Sequence, residues 1–379
     1  VRATVKGQYR WSTLPQTFHQ YAYSLFPRLL HQRPYRHSPN EMEFYCYIQQ
    51  ADSLLQVLTE SDIHLPQQQT IKGYIRERQK EQGLQIFIPT VATGKLETQD
   101  IALAAVQNDD KASLTLSMTE HPVLSDSARL NISDTEINLQ LEAERDSAWL
   151  NCRFGTPNST QPHANIQVLT RFDQYANRPF ASATVQPGSF YFRDTLWTLQ
   201  RAHVEYAAAD TALTISGFDL RSSTQYVRAN GTASTRMTDS IRVDMQNVNL
   251  SYIMRNFDLD RAITADGQIT GAVTLFSLFS EPMLEAKVHM PKGYLNETLL
   301  GELNATASLD KENKQIRIDA IAQQDNRTIV DLHGKVIPAE KYWELDMQLD
   351  SADLHLVNHW TKRILKDVGG RGYGWLGVY

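Results

Sequence analysis

The chain has 379 residues, of which 41% are hydrophobic and 21% charged, with a formal charge of −6. A pI near 6.0 leaves no basic field for a nucleic-acid partner, and an aromatic content of 9% argues against disorder. Cys46 and Cys152 are the only two cysteines, too few and too far apart for a metal site or a disulfide framework, and whether they form a single bridge stays open.

In chain order, Val1, Ala3, Val5, Tyr9 and Trp11 alternate with Arg2, Thr4, Lys6, Gln8 and Arg10, the pattern of a strand entered partway through a sheet. Thr13 and Pro15 open a helix on which Leu14, Phe18, Tyr21, Leu25 and Leu29 share a face. A strand from Met42 to Ile48 and a second helix near Asp52 to Leu58 follow. A hairpin then sets Ile71, Gly73 and Ile75 against Leu84, Ile86 and Ile88 across a turn at Lys80 to Gly83. From Leu96 onward short alternating strands bounded by Asp, Asn, Ser, Gly or Pro dominate. One later helix is expected from His355 to Val368, with a glycine-rich turn after it leading into the next strand. Charges interrupt every apolar stretch, so no membrane-spanning helix is predicted. The chain opens at Val1 without a leader pattern, and both ends read as cut from something longer.

Successive strand residues point to opposite faces, so each of these strands has an apolar and a polar side. Leu284, Ala286, Val288 and Met290 alternate with Glu285, Lys287 and His289, and Leu303, Ala305, Ala307 and Leu309 with Glu302, Asn304, Thr306 and Ser308. Too little amphipathic helix is available to cover the apolar side. The sheet must curl on itself, pair with another sheet as a dry sandwich, or hold something apolar. A strand, glycine, strand unit recurs at Val227–Gly231 with Arg242–Gln246 and at Val330–Gly334 with Leu345–Gln348. Its irregular spacing argues against a strict solenoid of fixed coil length, and the glycines fit either bulges or ordinary turns.

The segments Phe190–Trp197, Gly231–Ser240, Ala265–Gly271 and Phe279–Met283 resemble the middle of TamB proteins of Bacteroidetes-type bacteria, members of the wider AsmA-like group. The resemblance is clearest from Gly188 to Tyr379. It implies a mainly β chain, an elongated curled antiparallel meandering sheet with a few short helices near its N-terminal end and one near its C-terminal end. The expected divisions are a groove segment with helical insertions over 1–95, a continuous β-groove over 96–354, and a helix with glycine-rich turn over 355–379. The family implies a periplasmic protein with an inner-membrane anchor and an outer-membrane partner of the BamA-like barrel class, both through regions outside this chain. It further implies carriage of phospholipid acyl chains, with an older role in outer-membrane protein assembly.

Lipid-facing candidates are the apolar positions of the alternating strands: Ile269, Val273, Leu275, Leu284, Ala286, Val288, Met290, Leu303, Ala305, Ala307, Leu309, Ile316, Ile318, Val330, Leu332, Leu345, Met347 and Leu349. Each methylene kept from water is worth about 0.8 kcal/mol, and an unbroken apolar strip lets a chain slide while that gain stays constant. If about twenty strands stack at roughly 4.8 Å, the body reaches on the order of 100 Å.

Catalytic readings fail on chemistry. His355 and His359 have zinc-ligand spacing, but Leu356 stands where a metalloprotease needs its glutamate. The run Gly369–Gly374 lacks the strand before it and the Lys-Ser or Lys-Thr of a phosphate loop. Asp134, Glu136, Glu142 and Glu144 fall on polar strand faces. No enzyme activity and no cofactor are expected. Two competitors remain, a chaperone that pairs client strands at a sheet edge and a glycan-binding protein with an exposed aromatic row. Trp11, Trp197 and Trp343 read as face-filling side chains.

Overall fold

The computed structural model describes residues 2–32, 37–49, 63–65, 68–93, 96–122, 135–155, 164–192, 195–251, 264–296, 298–340, 342–357 and 369–378. Among these it is mainly β, a meandering antiparallel arrangement with one α-helix. Two compact units divide the chain, Val1–Arg201 with Ala207–Ala209 and Ala202–Tyr206 with Asp210–Tyr379.

The first unit holds β1 (Arg2–Gln8), α1 (Leu14–Leu25), β2 (Glu41–Ile48), β3 (Ile63–His64), β4 (Gln69–Arg76), β5 (Glu81–Thr93), β6 (Leu96–Asn108), β7 (Lys111–Pro122), β8 (Thr135–Glu144), β9 (Ser147–Gly155), β10 (Ala164–Tyr175), β11 (Arg178–Val185), β12 (Gly188–Phe192) and β13 (Thr195–Leu199). After β14 (Ala202–Ala207), the second unit continues with β15 (Ala212–Arg221), β16 (Tyr226–Ala233), β17 (Ser240–Asn249), β18 (Ala265–Asp266), β19 (Gln268–Phe276), β20 (Met283–Leu295), β21 (Thr298–Asp310), β22 (Gln315–Gln324), β23 (Arg327–Ile337), β24 (Tyr342–Asp353) and β25 (Arg371–Val378).

Each strand pairs antiparallel with the next along β4 to β11 and again along β15, β16, β17, β19 and onward to β25. Two-residue loops set several registers. Arg145-Asp146, Ala176-Asn177 and Asp325-Asn326 all have both φ positive, the geometry that matches strand twist in a tight hairpin.

The helix is shorter than its apolar spacing predicts. It ends at Leu25, where the Phe26 N–H still donates to the Ala22 carbonyl at 2.9 Å. Leu14, Thr17, Tyr21 and Leu25 are buried, while Phe18 remains 51% exposed. Asn40, 1% exposed, fixes the start of α1 by donating to Thr17 Oγ1 at 2.9 Å and accepting from the Arg10 N–H at 2.9 Å. At the far end, the Asp146 N–H donates to the Leu25 carbonyl at 2.7 Å, and Phe26 meets Phe172 of β10 edge to face at 5.1 Å. From Thr17 to Phe26 a helix advances about 14 Å, whereas a flat sheet would put β2 and β10, seven pairings apart, about 34 Å from one another. The sheet of the first unit therefore curls around α1.

Several local expectations are corrected. The turn before β5 lies at Glu77–Gln79 with left-handed Lys80, because Glu77 Oε2 accepts from the Asn40 N–H and the Glu77 N–H donates to the Asn40 carbonyl. Gly83 consequently sits inside a strand, beneath the Tyr74 ring. Tyr9 and Trp11 lie beyond β1 and pack on each other at 5.3 Å, and Trp11 is 66% exposed. The glycine-rich tail is already strand from Arg371. Leu354–Val357 forms a 3-10 turn; the rest of the helix expected there, the helix near Asp52 to Leu58, Asp134 and His359 lie outside the described residues.

Candidate functional site

Following Cα partners across the strands of the first unit gives rows of side chains on one face. One row passes through Val5, Phe44, Gly73, Leu84, Ala105, Leu114, Leu141, Leu150, Val168 and Val185. A parallel row passes through Ala3, Cys46, Ile71, Ile86, Leu103, Leu116, Leu139, Cys152 and Ile166. No charged side chain interrupts either. Except for the exposed Ala3 on edge strand β1, all of their members are half-buried. Burial is completed toward the strand ends instead, at Met42, Ile75, Gln107 and Ala143 on one side and at Thr90 and Ala164 on the other.

The second unit repeats the pattern. Val273, Ala286, Ala307, Ile318, Gly334 and Leu345 are successive partners. So are Gly271, Val288, Ala305, Ala320, Leu332 and Met347, and beside them Met290, Leu303, Ala322, Val330 and Leu349. Leu275 opposes Leu284 and Leu309 opposes Ile316 toward one margin, and Ile269 opposes Val248 toward the other. All eighteen candidate positions thus fall on one apolar face. The first two rows are half-buried throughout; full burial comes at Met290, Ala322 and Ile269 along one margin and at Ile241 and Ile316 along the other. Each unit carries an apolar strip with buried borders and an uncovered middle. Among the described residues of this unit the buried clusters are correspondingly small, four side chains at Leu300, Ala322, Ile329 and Ala352 and three at Met245, Val248 and Ile269.

Close strand approach explains two glycines that the sequence left ambiguous. Gly231 and Gly271 have φ of +130° and +155°, and a Cβ there would lie 2.0 Å from the Ser240 carbonyl oxygen and 2.1 Å from that of Lys287. In the recurrent unit Gly231 opposes Ile241 and Gly334 opposes Leu345, so both repeats use glycine beside a bulky partner on the apolar face.

The first unit adds a feature that the list of candidates missed. A cleft of about 450 Å³ lies between α1 and the sheet, lined by Leu25 and Phe26 of the helix end and by Leu84, Leu114, Leu141 and Ala143 among others. Gln107, 5% exposed, ties the helix down from below by donating to the Tyr21 carbonyl at 2.8 Å and to Ser24 Oγ at 3.1 Å. The alternation that marked the later strands was present at Leu84, Leu114 and Leu141 too; only the helix packing above them was not readable.

The opposite faces are polar and internally paired. His333 sits 2.6 Å from Asp319 and 3.0 Å from Asp331, and its pKa is raised, first by the hydrogen bond to Asp319 and then by the Asp331 charge. Arg242 pairs with Asp244 at 2.8 Å and Lys335 with Glu344 at 2.7 Å. Asp310 is held down to about 2 by hydrogen bonds from Asn313 and Gln315. Glu142 and Glu144 are exposed and Glu136 half-exposed on this side, and Lys111 pairs with Glu144 at 3.1 Å. Among the described residues no group of His, Cys, Asp and Glu is placed to hold a metal ion, and both cysteines carry free thiols.

Among the described residues Trp197, Trp343 and Trp375 share no cross-strand row. Trp197 is 4% exposed, as expected of a face-filling residue, whereas Trp343 is 50% and Trp375 65% exposed. Trp343 opposes Val336 of the apolar face, and Trp375 opposes Gln348 of the polar one. No helix of the described residues is long and apolar enough to cross a membrane. Compared with protein-family models, curated proteins and solved structures, the chain matches none.

Proposed function

We propose that the apolar strips of the two units shield phospholipid acyl chains from water, and that the chain is the middle part of a TamB-like, AsmA-like envelope protein. In that reading it lies in the periplasm, anchored to the inner membrane and joined to a BamA-like outer-membrane barrel through parts outside this chain, and moves lipid without catalysis or cofactor. The observation that carries the reading is the uncovered middle of each strip. Rows of nine or ten apolar cross-strand partners without a charge leave half-buried side chains where a sandwich would have packed them dry. An acyl chain laid there gains about 0.8 kcal/mol per methylene, and the absence of inward charge leaves nothing to arrest it.

A test uses the full chain purified from cells. Lipid extraction with mass spectrometry should find co-purified phospholipid, and photocrosslinkers placed at Val288, Leu303 and Ala305 should capture it. Protein free of phospholipid, with silent crosslinkers at all three positions, would remove the basis of the proposal.

A further inference from the structure

One part of the polar face of the first unit departs from the ion pairing found elsewhere. A row of Cα partners on that face runs from Tyr45 through Lys72, Gln85, Thr115 and Gln140 to Asn151. The adjacent row runs from Tyr47 through Phe87, Ser117 and Asn138 to Arg153 and Asn165. Neither row contains a carboxylate, although the chain as a whole has a formal charge of −6. Lys72 and Arg153 are exposed, and among the described residues neither makes an ion pair.

Two depressions lie on this face. The first, of about 570 Å³, is lined by Lys6, Tyr45, Lys72, Tyr74 and Gln85 among others. Thr4 and Lys6 line it while the intervening Val5 does not, which puts it on the polar side of the sheet. The second, of about 330 Å³, is lined by Thr115, Asn138, Gln140, Asn151 and Arg153 among others. Together the two linings hold three cations, Lys6, Lys72 and Arg153, and two carboxylates, Glu43 and Glu136. Glu43 is taken by Arg76 at 3.4 Å, and Glu136 accepts from the Asn138 amide at 3.0 Å. The charge left over is positive. Beside Arg153, the side-chain oxygens of Asn151 and Asn165 accept no hydrogen bond, although acceptors closed off from water normally find a donor.

We infer that this face binds an acidic glycan, its sugars lying along the two rows and its carboxylates meeting Lys72 and Arg153. Phe87, 41% exposed, and the half-buried Tyr45 and Tyr47 offer apolar ring surface to the C–H faces of sugars. The amides of Gln85, Asn138, Gln140 and Asn151 offer donors and acceptors to hydroxyls, and a lone cation binds a carboxylate by a charge-assisted hydrogen bond. Five pairings separate the strands of Lys72 and Arg153, about 24 Å along the sheet, so the occupant is an oligomer of several sugars. A polynucleotide, with its dense phosphate charge, calls for many more cations than these rows hold. The rows lie on the reverse of the strands that carry the apolar strip, so the inference stands apart from the lipid-shielding reading.

The test titrates the full chain, by fluorescence anisotropy, with a labelled oligogalacturonate, which carries a carboxylate on each sugar, and with its methyl ester, which carries none. Lys72→Glu combined with Arg153→Glu changes two exposed side chains and should weaken the acidic oligomer at least roughly tenfold while leaving the ester unchanged. Lys311→Glu combined with Lys314→Glu, two exposed lysines of the second unit, makes the same change in net charge and should alter neither. Phe87→Ala should weaken both probes severalfold. Failure of the parent protein to bind oligogalacturonate overturns the inference, as does equal weakening by the two charge-reversed proteins. Tighter binding of a single-stranded oligonucleotide than of oligogalacturonate overturns it too. Phospholipid capture at Val288 is expected to persist in every variant, so loss of the glycan site leaves lipid shielding standing.

Discussion

Cys46 and Cys152 stand in one cross-strand row of the first unit, joined through Ile71, Ile86, Leu103, Leu116 and Leu139. Both thiols are free and half-buried, and each has an apolar neighbour on either side along the row: Ala3 and Ile71 for Cys46, Leu139 and Ile166 for Cys152. A sulfur at such a position is a weakly polar member of an otherwise hydrocarbon surface, so the row remains apolar over its length.

Adjacent positions on β20 separate an open strip from a packed core. Val288 is half-buried in the middle of the second unit's face, while Met290 is 3% exposed, with its sulfur against Gly267 and Gly293. Val288→Asp should leave the protein folded, costing about 1 kcal/mol or less, and block lipid capture at Leu303. Met290→Asp should cost several kcal/mol, since it leaves an unpaired charge in a sealed place. Thermal unfolding of the two variants measures the difference.

Gly271→Ala forces a side chain into the carbonyl of Lys287 from a φ that other residues rarely adopt. It should destabilise by more than about 1 kcal/mol, read as a lowered urea midpoint. Gly370→Ala, with nothing within 4 Å of its Cβ position, meets only the conformational cost and should be the milder change.

The strand alternation made the fold class and the membership of the apolar face legible in advance: Ala286 and Ala305 needed only a period of two to be assigned, and both stand half-buried in the cross-strand rows of that face. Three things were hidden. The turn at Glu77 depends on Asn40, 37 residues earlier in the chain, and the burial of Thr17 instead of Phe18 depends on the same asparagine. The cleft under α1 exists because strands far apart in sequence, from β2 to β10, curl around one short helix. Local periodicity carries none of this, since each contact is set by tertiary packing.

Proton linkage should appear at low pH through Asp310. Its pKa is lowered from 3.8 to about 2 by the Asn313 side chain and backbone and by Gln315. A depressed carboxylate stabilises the fold above its unfolded value, and that contribution is lost as pH falls from about 4 toward 2. Asp310→Ala should therefore lower stability at neutral pH and flatten the acid limb of the unfolding profile relative to the parent protein.

His333 has the opposite sign. Its pKa is raised by Asp319 and Asp331, so its contribution is complete below the unfolded histidine value and disappears as pH rises through the folded one. Asp319→Asn should bring the imidazole titration, followed by NMR, down toward 6.5. An unchanged midpoint would mean that the contact of 2.6 Å does not persist in solution.

The uncovered apolar strip is tested most directly by the two native thiols. In delipidated full-length chain, a water-soluble maleimide should modify both Cys46 and Cys152 without denaturant, and loading with phosphatidylglycerol should protect the two together while a maleimide on an acyl tail still reaches them. Thiols that react only after unfolding would show a sealed core, and equal labelling rates with and without phospholipid would show that no lipid lies along the row; either result contradicts the account.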